Sequence, residues 1–147
     1  YYLEHTVLCL SDGLLAQCGI DLDTHRGEIA SGNLSSLRGC PFVLGSAEDI
    51  GGRIGRGLLR SSGVSPVSKA TSENVETLLA LCEQGVGACF CPENLLHTAL
   101  SPEQLTHLHI LPLCPEASYP ICFGYLSRSY PWSVLSEFIR IAREQTA

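Results

Sequence analysis

The chain has 147 residues, a formal net charge of -6 and 45% hydrophobic residues. That length can bury a real core within one domain without staples. The acidic balance and the lack of any Lys/Arg block exclude a sequence-independent grip on nucleic acid by this chain alone, and no apolar run reaches the roughly 18 residues of a membrane span.

Taken in order, "HTVLCLS" (His5–Ser11) reads as a short strand. The mixed, turn-rich stretch that follows reads as loop, with one helical turn around Leu14–Gln17. "CPFVLGS" (Cys40–Ser46) suits a strand buried on both faces. In "AEDIGGRIGRGLLRSSG", Ile50, Ile54, Leu58 and Leu59 recur at near-helical spacing and Gly63 supplies a stop. Its internal glycines read as a loosely packed helix start, since each costs roughly 1 kcal/mol against Ala.

"VSPVSKA" is a short strand, followed by a helix with Val75, Leu78, Leu79 and Cys82 on one face. Thr71 or Ser72 is expected to cap it, Glu73 and Glu76 to complement its dipole, and Gly85 to end it. "VGACFC" is a buried strand and "PENLLHTAL" a short helix with Pro92 at its first position. "LTHLHILPL" and "YPICFGYLS" are strands. "PWSVLSEFIRIAREQ" closes the chain as an amphipathic helix, its apolar face formed by Val134, Leu135, Phe138, Ile141 and Ala142.

This alternation predicts an α/β fold, a mostly parallel Rossmann-like sheet with helices on both faces. Ligands of such sheets bind outside the carboxyl ends of strands. The loops "LGSAED", "ATSEN" and "CPEN" have that address, and the first two set Ser46, Thr71 and Ser72 beside helix N-termini. Hydroxyls and free amides there make a polar site for a small molecule. Glu48, Asp49 and Glu73 nearby favour a neutral or weakly anionic ligand.

Other chemistries fit less well. Cys9, Cys18, Cys40, Cys82, Cys89, Cys91, Cys114 and Cys122 lie mostly in apolar runs, where a thiol acts as a small hydrophobe. That usage indicates a reducing compartment and a cytoplasmic protein. No CxxC pair is present, and Cys89/Cys91 with His107/His109 suit core thiols and an exposed strand face rather than a metal site. "GGRIGRG" fits neither a dinucleotide fingerprint nor a P-loop. Asp12, Asp21, Asp23 and His25 have no nucleophile arranged with them and read as a solvated loop, so an enzyme is not expected and no cofactor is implied.

The run "SLRGCPFVLG…IGRGLLRSSGVSPVSKATSENVETLLALCEQGVGACFCPENLL", with the closing "YLSRSYPWSVLSEFIRIARE", resembles the effector-binding domain of LysR-type transcriptional regulators. The resemblance spans about Tyr2 to Glu144. It implies a lobe of a type 2 periplasmic-binding-protein-like module. Residues 1–11 would form the outbound crossover strand, 12–118 the second lobe, and 119–147 the return strand and last helix of the first lobe. With no Met at position 1, the chain reads as a piece of a longer protein, whose first lobe and winged helix-turn-helix would lie elsewhere.

Carried over by position, the effector-binding candidates are Gly45, Ser46, Thr71 and Ser72. The implied function is ligand sensing, with a small-molecule effector altering DNA binding or activation by the helix-turn-helix. The implied partners are that effector, further copies in a homodimer or tetramer, and DNA through the N-terminal domain only. The alternative is a periplasmic-type solute-binding protein, which shares the two-lobed architecture. A signal peptide in the full reading frame would favour it, and an N-terminal helix-turn-helix would exclude it.

Overall fold

The computed structural model of the protein describes residues 2–126 and 132–145. In chain order these form β1 (Tyr2–Ser11), α1 (Asp12–Cys18), α2 (Leu22–Ala30), β2 (Pro41–Leu44), α3 (Ile50–Ser61), β3 (Val67–Thr71) and α4 (Val75–Glu83). There follow β4 (Cys89–Pro92), α5 (Glu93–Ala99), α6 (Pro102–Leu105), β5 (Leu108–Pro112), β6 (Ser118–Ile121) and α7 (Ser133–Gln145). Ser127 and Pro131, the expected end of the last strand and start of the last helix, lie outside the described residues.

The strands join in the order β3-β2-β4-β1-β5. β2 and β3 pair in parallel. The Ala88 N–H donates to the Pro41 carbonyl at 2.8 Å and the Val43 N–H to the Ala88 carbonyl at 2.9 Å, which ties β2 to the start of β4. β1 runs antiparallel to β4, β5 and β6. The expected parallel character therefore belongs to β3, β2 and β4, which helical crossovers link. β1 runs against them. Its first residues leave the sheet to pair with β6, Glu4 opposite Tyr119.

Alternation along the strands divides the core into two layers. Leu8, Leu10, Phe42, Leu44 and Phe90 pack with Leu14, Leu22, Ile29 and Leu59 from α1, α2 and α3. Val7, Cys9, Val43, Cys89 and Cys91 pack with Leu78, Leu79, Cys82 and Leu96 from α4 and α5. Phe42 and Phe90 stack at 6.0 Å. Burial on both faces explains why these strands read as continuous apolar runs.

Four expectations are corrected. Where loop with one helical turn at Leu14–Gln17 was expected, that turn lies within α1 and a second helix, α2, follows; Ser11 and Asp21 cap them and Gly19 at φ 64° separates them. Each is short and buries few side chains, so its periodicity is faint. Asn74 caps α4, not Thr71 or Ser72: its Oδ1 accepts the Thr77 N–H at 2.9 Å. Pro92 stands at the cap of α5 instead of its first turn.

Two of the α3 glycines, finally, mark close packing. A Cβ on Gly55 would lie 2.3 Å from the Phe90 ring, and one on Gly52 would lie 2.1 Å from the Ser46 carbonyl oxygen.

Candidate functional site

The polar edge of the sheet is built where β2 and β3 end. Leu44 lies opposite Thr71 in the parallel pair. The Ser72 N–H donates to the Leu44 carbonyl at 3.2 Å, so the two following loops leave the sheet side by side. All four residues expected to bind a ligand gather here: buried Gly45, half-buried Ser46 and Ser72, and exposed Thr71.

Their hydroxyls are not equivalent. Ser46 Oγ accepts the N–H groups of Glu48 and Asp49, both at 3.3 Å, which folds its own loop into the start of α3. Asp49 then caps that helix, Oδ2 accepting the Gly52 N–H at 3.0 Å. Ser72 Oγ accepts the Asn74 N–H at 3.1 Å and so supports the residue that caps α4. The Thr71 hydroxyl has no side-chain hydrogen bond among the described residues, which leaves it open to a ligand. Gly45 contributes its backbone, and its carbonyl accepts from Arg56 Nη2 at 2.7 Å.

The pair of β1 and β6 adds residues that sequence reading missed. Glu4 is 4% exposed, an unusual position for a carboxylate. Its oxygens accept from the His5 N–H at 3.1 Å, the Asn94 N–H at 3.4 Å and Asn94 Nδ2 at 3.0 Å, and Asn94 Nδ2 also meets the Tyr2 hydroxyl. Opposite Glu4, Tyr119 has its phenol pushed above the usual tyrosine range, first by burial and then by the charges of Glu4 and Asp49. The available signal was an acid at an even position of β1, in line with Thr6, Leu8 and Leu10.

The remaining candidates fall elsewhere. Asp12 is the first residue of α1, where its Oδ1 lies 2.6 Å from His109 Nε2 and its Oδ2 lies 3.9 Å from His107 Nδ1. Asp21 caps α2, and Thr24 donating to it holds its carboxyl below the ordinary range. All eight cysteines are free: Cys122 is exposed, Cys18 half-buried and the other six buried. Among the described residues, no group of three or more His, Cys, Asp and Glu side chains is arranged to hold a metal ion, and no helix is long and apolar enough to cross a membrane.

Comparison with known proteins gives this arrangement a lineage. The family model described as "LysR substrate binding domain" matches residues 3–147. The fold is similar to the Synechocystis PCC6803 CcmR regulatory domain solved with 2-PG, at TM-score 0.65 and 12% identity over 99% of this chain and 64% of that one. It is similar to the effector binding domain of QuiR solved with shikimate, at TM-score 0.61 and 11% identity over 99% of this chain and 62% of that one. It is also similar to full-length CbnR solved with target DNA, at TM-score 0.56 and 13% identity over 99% of this chain and 44% of that one. The chain thus spans less than two thirds of the length of these structures. None of the curated proteins compared with it is detectably similar. With the family model matching from strand β1 through helix α7, the chain belongs to the LysR substrate-binding domain family.

Proposed function

We propose that this chain is the ligand-sensing second lobe of a LysR-type regulator, together with both crossover strands and the closing helix. Residues 12–118 form the lobe, residues 1–11 enter it, and residues 119–147 return to a first lobe outside this sequence. The effector is a small molecule held at Gly45, Ser46, Thr71 and Ser72. Its binding between lobes favours one lobe arrangement over another, which requires unequal affinity for the two. DNA is held by a winged helix-turn-helix elsewhere in a cytoplasmic homodimer or tetramer.

One observation carries this reading: the Ser72–Leu44 backbone bond brings both hydroxyl loops to one sheet edge, where ligands of such sheets bind. The β1–β6 pair lies at the same end of the lobe, as a crossover between lobes requires. The 2-PG bound to CcmR and the shikimate bound to QuiR, both domains of this fold, support a small polar effector.

Thr71→Val in the full-length regulator is the cleanest test, because no other hydroxyl of the site is free of its own loop. Effector-dependent transcription should fall while the circular dichroism spectrum and melting temperature stay unchanged. An unaltered response in Thr71→Val and in Ser46→Ala would remove the site assignment.

A further inference from the structure

We propose that a second site, in a groove at the carboxyl end of α3, binds a small oxyanion, a phosphoryl or carboxylate group, and that Arg56 relays its occupancy to the Gly45 loop. The groove has a volume of about 370 Å³ and is lined by Arg56, Arg60, Gly63, Val64, Ser65 and Pro66, with no acid among them. That volume suits one small molecule.

The cations gathered here stand out in a chain of net charge -6. Arg56 and Arg60 lie one turn apart on the same face of α3. Arg38 reaches the same turn from the segment before β2, its Nη2 3.5 Å from the Gly63 carbonyl oxygen. Among the described residues, none of the three has a carboxylate within ion-pair distance; Arg140 is the arginine that does.

Arg60 alone could be explained by its place in the last turn of a helix, where a cation offsets the dipole. That account covers neither Arg56, which sits mid-helix, nor Arg38, which comes from another segment. Arg56 Nε is buried with no hydrogen-bond partner. A guanidinium N–H left in that state carries a desolvation cost that an acceptor would remove.

An oxyanion supplies such acceptors in the planar, paired geometry that arginine recognises. Extended nucleic acid fits poorly, because it needs a broad basic face rather than a small concave one. Arg56 also donates Nη2 to the Gly45 carbonyl at 2.7 Å, so one side chain touches both the groove and the first loop of the effector edge. An anion that draws on Arg56 therefore changes the hold on Gly45.

The test is a titration of the full chain with inorganic phosphate at constant ionic strength, followed by amide chemical shifts. We expect saturable one-site binding, with shifts at Val64 and Ser65 and also at Gly45 and Ser46. Arg60→Gln, at an exposed position that folding does not need, should weaken binding about tenfold, as should Arg56→Lys, which keeps the charge and loses the paired donors. Shifts that grow linearly without saturating, or that persist in Arg60→Gln, overturn the site. Saturable binding without movement at Gly45 and Ser46 overturns the relay. A short duplex DNA that displaces phosphate with a steep salt dependence overturns the small-anion assignment in favour of nucleic acid.

Discussion

Gly52 presses its α-carbon against the carbonyl oxygen of Ser46, so closely that a β-carbon there would lie 2.1 Å from that oxygen and 3.0 Å from the Gly45 carbonyl. The start of α3 is thereby seated on the loop that carries two of the proposed effector contacts. A side chain at this position must push helix and loop apart. Gly52→Ala should cost about 1–3 kcal/mol as an overpacking change, more than the ~1 kcal/mol that Ala gains in helix propensity. At Gly57, in the same helix, an added Cβ would meet nothing within 4 Å, so Gly57→Ala should stabilise by about 0.5–1 kcal/mol. Urea midpoints of the two variants decide the matter, and equal shifts would show that α3 does not rest on the loop.

Capping offers a second test at the other hydroxyl loop. Asn74→Ala removes the acceptor of the Thr77 N–H and should cost about 1 kcal/mol. Thr71→Ala, which breaks no side-chain hydrogen bond, should leave the urea midpoint unchanged. A larger loss from Thr71→Ala than from Asn74→Ala would return the cap to Thr71.

Tyr119 should titrate late. Burial and the charges of Glu4 and Asp49 favour its neutral form, so its phenolate should appear only above the ordinary range of about 10. A raised pKa in the folded state contributes stability below the unfolded value and loses it as pH climbs through the folded one. The contribution of Tyr119 is therefore present at neutral pH and disappears under alkali. Ultraviolet difference spectra between the protein and its Tyr119→Phe variant isolate this step. Glu4→Gln should move it downward, and a step unmoved by Glu4→Gln would mean that Glu4 and Tyr119 do not face each other.

The thiols should separate by exposure. In native protein Cys122 should react first with a thiol reagent and half-buried Cys18 more slowly. The six buried cysteines should respond only after unfolding, and burial together with neighbouring Cys18 also pushes the Cys40 thiol upward, away from the reactive thiolate. Prompt reaction of Cys9, Cys82, Cys89 or Cys91 would mean that the layer between β1, β4 and α4 is open.

The closing helix should seek a partner. No residue of α7 is buried, and Trp132, Val134, Phe138 and Ile141 are exposed at 66%, 76%, 49% and 45%. Its aromatic contact is Phe138 edge-on to Phe123 at 5.4 Å. Covering such side chains is worth roughly 1.5–3 kcal/mol each when burial is complete. Made alone, these 147 residues should self-associate through this face or fray the helix. Light scattering coupled to size exclusion, with hydrogen exchange on α7, checks it. A strict monomer with a protected helix would mean that α7 packs on the rest of this chain.

Much of the molecule was legible because its signals are local. "PFVL" and "CFCP" are apolar through their length since both faces of those strands are covered, and the apolar face of α4 is visible as a helical period. The order of these pieces was enough to place Gly45, Ser46, Thr71 and Ser72 at strand ends, and the register of β2 against β3 then made them neighbours. Tertiary structure decided the rest. Whether β1 runs with or against β4 depends on the end of the sheet from which the chain arrives, which no residue of β1 encodes. Whether Gly52 and Gly55 weaken a helix or let it approach depends on Ser46 and Phe90 being across from them. Glu4 and Tyr119 lie 115 positions apart and become neighbours only when β1 and β6 pair. A carboxylate and a phenol acquire their chemistry from burial and from each other, and both are products of folding.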